Sequence, residues 1–139
     1  MEWFAWALLS ALFAGLTAVF AKVGVSSINS NLATAIRTSI IVVITWVLAL
    51  ASSRIDEVAH VSKRAWLFLF LSAAATGLSW LCYFRALQLG EVAKVAPIDK
   101  LSVVVAIIIS VVFLGEKLSL RELFGVALIV GGAISLAWK

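Results

Sequence analysis

Residues 83–102 read YFRALQLGEVAKVAPIDKLS, and the fold follows from how this stretch is read. It gathers Arg85, Lys94, Lys100, Glu91, Asp99 and the chain's single proline, Pro97, between two long apolar segments. The flanking segments are long enough for helices, so the charged stretch is where the backbone turns between them. Burying such a cluster in hydrocarbon would be costly. A charge at a bilayer centre costs about 2.5–3.5 kcal/mol on insertion scales, so the turn belongs at a bilayer edge or faces a bundle interior.

Composition supports lipid as the solvent. The 139 residues are 64% hydrophobic and 13% charged, with a mean hydropathy of +1.16. Soluble domains average roughly 45–50% apolar and about 25% charged, and one core of this size could not hide the excess. Cys82 stands alone, which excludes an internal disulfide and a multi-thiolate metal site. The net charge is +4 and the eleven Lys/Arg form no basic run, so nucleic acid is not an expected partner. His60 is the single histidine, in a loop, and no nucleophile–base pair or metal-ligand cluster appears. Neither an enzyme nor a cofactor is expected. The opening MEWFAW has no basic leader, and the apolar run behind it exceeds a cleavable signal's usual length.

The apolar segments are residues 3–25, 32–51, 65–89, 95–114 and 120–138. At 1.5 Å rise per residue, each spans a hydrocarbon core of about 30 Å. They are twice the length of a barrel strand and lack period-two alternation, so they predict helices. Short connections make successive helices antiparallel neighbours. The expected fold is an all-α membrane bundle of five transmembrane helices forming a single domain over 1–139.

An odd helix count places the termini on opposite faces. One face has Arg54, Lys63, Arg64, Lys117 and Arg121. The other has Lys94 and Lys139 in its loop and tail, with Lys22, Arg37, Arg85 and Lys100 in helix ends directed to it. Loops alone favour the first face in the cytoplasm, whereas the full count is nearly balanced, so insertion both ways is expected. Trp3, Trp6, Trp66 and Trp138 fall where interfacial anchors fall. Trp80 lies mid-helix, with Thr76 and Tyr83 on its face, as either a packed ring or a cavity wall.

The embedded charges Lys22, Arg37, Arg85, Asp99 and Lys100 all lie toward one end. Each basic residue has a plainer reading, as a side chain snorkelling to the interface or pairing with Asp99. As a set they describe a one-sided vestibule suited to an anionic or carboxylate-bearing solute, with Trp80, Tyr83 and Ser102 along it. Asp99 is the one embedded acid and the expected site of proton or cation coupling. Two placements of Pro97 are open. In a helix's first turn it leaves Asp99 near a favourable dipole end; in a helix starting near Val92 it kinks the chain. Small residues line other faces. Ala11, Gly15 and Ala18 lead to Lys22, and Ala127, Gly131 and Ser135, with Gly125 and Gly132 nearby, predict close helix packing.

In order, the aromatic-x-x-Ala-Leu of Tyr83 to Leu87, Pro97, the Gly115-Glu116-x-Leu118-Ser119 turn and the glycine-rich last helix resemble the EamA-type repeat of the drug/metabolite transporter superfamily. Ala14-Gly15 and Lys22-x-Gly24 fit the same pattern. The resemblance covers essentially the whole chain. It implies one repeat of a five-plus-five inverted-repeat transporter, completed by an antiparallel homodimer. One departure matters: the small multidrug-resistance branch carries a glutamate in its first helix, where this chain has Lys22. Cationic drug export is therefore not implied. Gly115 suits a helix C-terminal turn, and Glu116 is expected to cap the next helix or pair with Lys117 or Arg121.

The expected function is secondary transport of a small anionic or zwitterionic metabolite by alternating access, in the cell inner (plasma) membrane. A non-transporting assembly subunit and a lipid-carrier flippase are the alternatives.

Overall fold

A computed structural model describes residues 2–52 and 55–138; Arg54 and Lys139, counted above, lie outside the described residues. The elements are α1 (Glu2–Val25), α2 (Ser30–Ala51), a short 3₁₀ turn (Ile55–His60), α3 (Lys63–Leu89), α4 (Val92–Asp99), α5 (Ser102–Ile109), a π-helical turn (Ser110–Leu114) and α6 (Leu120–Ala137). Among the described residues no strand forms. Among the described residues, five helical stretches are long and apolar enough to cross a membrane: α1, α2, α3, the Val92–Leu114 span and α6. This is the expected five-helix membrane protein.

The helix ends follow local chemistry. Asn29 starts α2, its Oδ1 accepting from the backbone N–H of Asn31 (2.9 Å) and Leu32 (3.4 Å). Such a cap stabilises a helix by about 1 kcal/mol and draws α2 back to Ser30, ahead of its first apolar residue. Ser62 Oγ accepts from Ala65 N–H at 3.2 Å at the head of α3. At α6 the cap is a reciprocal box. Ser119 N–H donates to Glu122 Oε2 at 2.7 Å, and Glu122 N–H donates to Ser119 Oγ at 3.3 Å. The capping pair is therefore Ser119 and Glu122, and Glu116, expected to cap this helix or pair with Lys117 or Arg121, is not part of it. Gly115 closes the preceding span at φ 69°, the left-handed conformation that glycine adopts without penalty.

The fourth span is where structure chooses between the two placements of Pro97. The helix begins at Val92, so Pro97 lies inside α4. It has no N–H to return to Ala93, and the ladder beyond it tightens. Leu101 N–H reaches Ile98 O, Val103 N–H reaches Lys100 O and Val104 N–H reaches Leu101 O, each at 3.0 Å and each an i−3 bond. Asp99 thus ends α4, and the expectation of a first-turn aspartate favoured by the dipole gives way.

The chain divides into two compact units, Ala21–Gln88 and the remainder. In the first, the buried side chains Ala21, Val25, Ser30, Ala33, Thr34, Phe84 and Leu87 come from the end of α1, the start of α2 and the end of α3. In the second, α4 lies against α6, and Ala133 is the buried residue of α6. No more than 11% of any span's most apolar window is buried. Nearly all the apolar surface is left to lipid or to another chain.

Candidate functional site

In the unit Ala21–Gln88, the C-terminal ends of α1 and α3 complete each other. The last carbonyls of a helix have no partner within it, and in lipid no water replaces one. Lys22 Nζ on α1 donates to Leu87 O on α3 at 2.5 Å. In return Gln88 Nε2 on α3 donates to Val25 O at 3.2 Å and to Ile28 O at 2.8 Å. Lys22 also places positive charge at the negative dipole end of α3. Both side chains hold helix ends together.

A turn or two further along α3, Arg37 of α2 lies over an aromatic face. Its guanidinium carbon is 4.3 Å from the Trp80 ring centroid and 5.6 Å from that of Phe84. Shielded from water, a cation over an indole gains on the order of 2 kcal/mol. Tyr83 and Phe84 meet edge to face at 6.5 Å. Arg37 is half-buried, yet its Nη1 is fully covered and makes no hydrogen bond to the described residues. Neither α2 nor α3 contains an aspartate or a glutamate.

Alongside, an open groove of about 640 Å³ runs between α2 and α3, with Thr34, Thr38, Ser39, Val42, Gly77 and Leu81 among its lining residues. Its hydroxyls are satisfied locally: Thr34 Oγ1 donates to Ser30 O (2.9 Å), Thr38 Oγ1 to Thr34 O (2.8 Å) and Ser39 Oγ to Ala35 O (3.1 Å). Back-bonding of this kind lets a hydroxyl sit in hydrocarbon. Arg85, also on α3, is exposed and donates from Nη1 to Gln88 Oε1 at 2.9 Å, orienting that amide toward α1.

The charges of the second unit are arranged differently. Glu91 and Lys94 pair at 3.2 Å, and Asp99 and Lys100 at 3.5 Å across the break after α4. Ser102, exposed, opens α5. No group of three or more His, Cys, Asp or Glu able to hold a metal exists among the described residues.

Of the residues singled out from sequence, the structure brings Arg37 and Trp80 into contact, sets Tyr83 beside them against Phe84, and joins Lys22 to the end of α3. It pairs Asp99 with Lys100. A Cβ added at Gly15, Gly125, Gly131 or Gly132 would meet nothing within 4 Å, so these positions are open on their own chain. The sequence reading passed over Gln88, Phe84 and Thr38. Gln88 carried a signal, being the chain's only glutamine and placed at the end of an apolar helix. Phe84 and Thr38 look like any other helix residue until α2 and α3 meet.

Comparison with known proteins agrees with this architecture. Residues 1–138 match the EamA-like transporter family. The chain is similar to a Sinorhizobium protein named "Uncharacterized transporter in cobO 3'region", at 56% identity over 136 residues, 98% of this chain and 96% of that protein. No solved structure matches.

Proposed function

The chain belongs to the EamA-like transporter family, and we propose that it carries a small anionic or zwitterionic metabolite across the cell inner membrane by alternating access, as a homodimer. The transporter role and the multi-pass membrane architecture come with the family and the five spans. Membership points to transport rather than catalysis.

One observation carries the substrate class. Within Ala21–Gln88 the membrane helices bear Lys22, Arg37 and Arg85, with Lys63 and Arg64 at the head of α3, and no acid, so the local potential favours a negative group. The homodimer is supported by the odd number of spans and by the surface they leave uncovered. Glycines open along α6 would let a second chain approach closely. A two-fold axis in the membrane plane would then rebuild an inverted repeat, consistent with the nearly balanced charge on the two faces.

Purified protein in liposomes tests this reading. Uptake of radiolabelled organic acids or amino acids, without uptake of sugars or a lipophilic cation, is expected. No flux across such a panel would sink it in favour of an assembly subunit or a flippase. Orientation is tested with single cysteines at Ser27 and Lys117 in a Cys82→Ser background. Each should label from both sides of intact cells; labelling from one side alone rules out the antiparallel pair. Asp99→Asn should abolish any dependence of uptake on a proton gradient, and an unchanged dependence removes Asp99 as the coupling site.

A further inference from the structure

We infer that Arg37, held on the Trp80 face, is the carboxylate-binding subsite, and that its ligand is a small monocarboxylate with an apolar body. This rests on the transport reading above and deepens it.

Three features converge on Arg37. The guanidinium carbon lies over the Trp80 ring at 4.3 Å and over the Phe84 ring at 5.6 Å, so two aromatic rings hold the group in place. A ring face satisfies charge but accepts no conventional hydrogen bond, so the donors at the guanidinium edge are still to be matched. Nη1 is without a hydrogen-bond partner among the described residues, and because it is covered an anion reaches it only as the side chain turns on the ring. A planar fork held on rings suits an oxyanion in its own plane, the geometry a carboxylate fills with two parallel bonds.

The surroundings choose among anions. With no acid on α2 or α3, nothing there would hold a ligand's ammonium by charge, which favours a plain acid over a zwitterion. The groove between α2 and α3 is lined not by Arg37 or Trp80 themselves but by their sequence neighbours, Thr34 and Thr38 within one turn of Arg37 and Leu81 next to Trp80. Its apolar walls and back-bonded hydroxyls suit a hydrocarbon or aryl body. They offer no second cation to a multiply charged phosphate.

The probe is radiolabelled phenylacetate, bound to detergent-purified full-length protein in a scintillation proximity assay. Wild type should bind it saturably, with phenylacetamide failing to compete. Arg37→Lys keeps the charge and loses the fork, and should weaken binding at least about tenfold. Arg121→Lys, at an exposed position of α6, should leave binding unchanged. Should Arg37→Lys fail to give a single gel-filtration peak, Trp80→Phe serves instead, with a smaller face and an expected loss of about threefold or more. Wild-type binding that is absent, equal for the amide, or unaffected by these variants overturns the subsite. Competition by phosphatidylglycerol micelles that phenylacetate cannot match overturns it too, because the anion would then be a lipid headgroup. The two readings fail separately. Binding without flux of any solute refutes transport and keeps the subsite, whereas flux of acids that Arg37→Lys does not alter keeps transport and refutes the subsite.

Discussion

Helix α3 and the span that follows it are neighbours in sequence and opposites in construction. Lys63–Leu89 runs 27 residues without interruption, whereas Val92–Leu114 takes 23 residues to make two short α-helices and a π-helical turn. Their handling of charge differs as well. The unit containing α3 holds its cations with ring faces, a helix-end carbonyl and, at Arg85, the Gln88 amide. The next span sets each acid beside a lysine close in sequence. A close pair cancels its own field and leaves little for a solute. Arg37, over ring faces on helices that hold no acid, keeps its charge available.

Replacing the residue that breaks the second span should have the largest effect. A proline inside a helix costs about 3 kcal/mol relative to alanine, so Pro97→Ala should raise the unfolding temperature of the purified protein. Amide exchange over residues 98–104 should also slow by about tenfold or more, toward the rate of mid-α3. Unchanged exchange there would mean that Pro97 is not the cause of the break, and the contrast between the spans would need another origin.

The next largest effect should come from the clamp. Gln88→Ala removes the side-chain donor to Val25 O and Ile28 O, at a cost of about 2 kcal/mol where water cannot substitute. The expected outcome is a lower unfolding temperature, with faster exchange confined to the ends of α1 and α3. A variant as stable as wild type would show that the interlocked ends contribute nothing. The smallest change sharpens the comparison from the other side. Lys94→Ala breaks an exposed pair and should cost no more than about 0.5 kcal/mol. A loss comparable to that of Gln88→Ala would erase the distinction between self-cancelling pairs and the clamp.

Particular residues show how far sequence alone could reach. Trp80 and Arg37 were both marked as pathway residues, but nothing in sequence says that one is the platform for the other. They sit on different helices, and the helical period fixes a residue's face without fixing which helix it meets. Pro97 allowed two starts for the fourth span, because a proline tolerated in a first turn and one kinking an interior share the same local sequence. Glu116 drew the expectation of a cap or of a pair with Lys117 or Arg121, whereas the three-residue spacing from Ser119 to Glu122 is what closes the box.

By itself the sequence determined the number of spans, their helical nature and the family. Each of these depends on apolar length and short-range motifs, which a bilayer reads segment by segment. The tertiary structure decided what its charges do. Hydrogen bonds and ring contacts extend only a few ångströms, so the partners of Lys22, Arg37 and Gln88 existed only once helices distant along the chain came together.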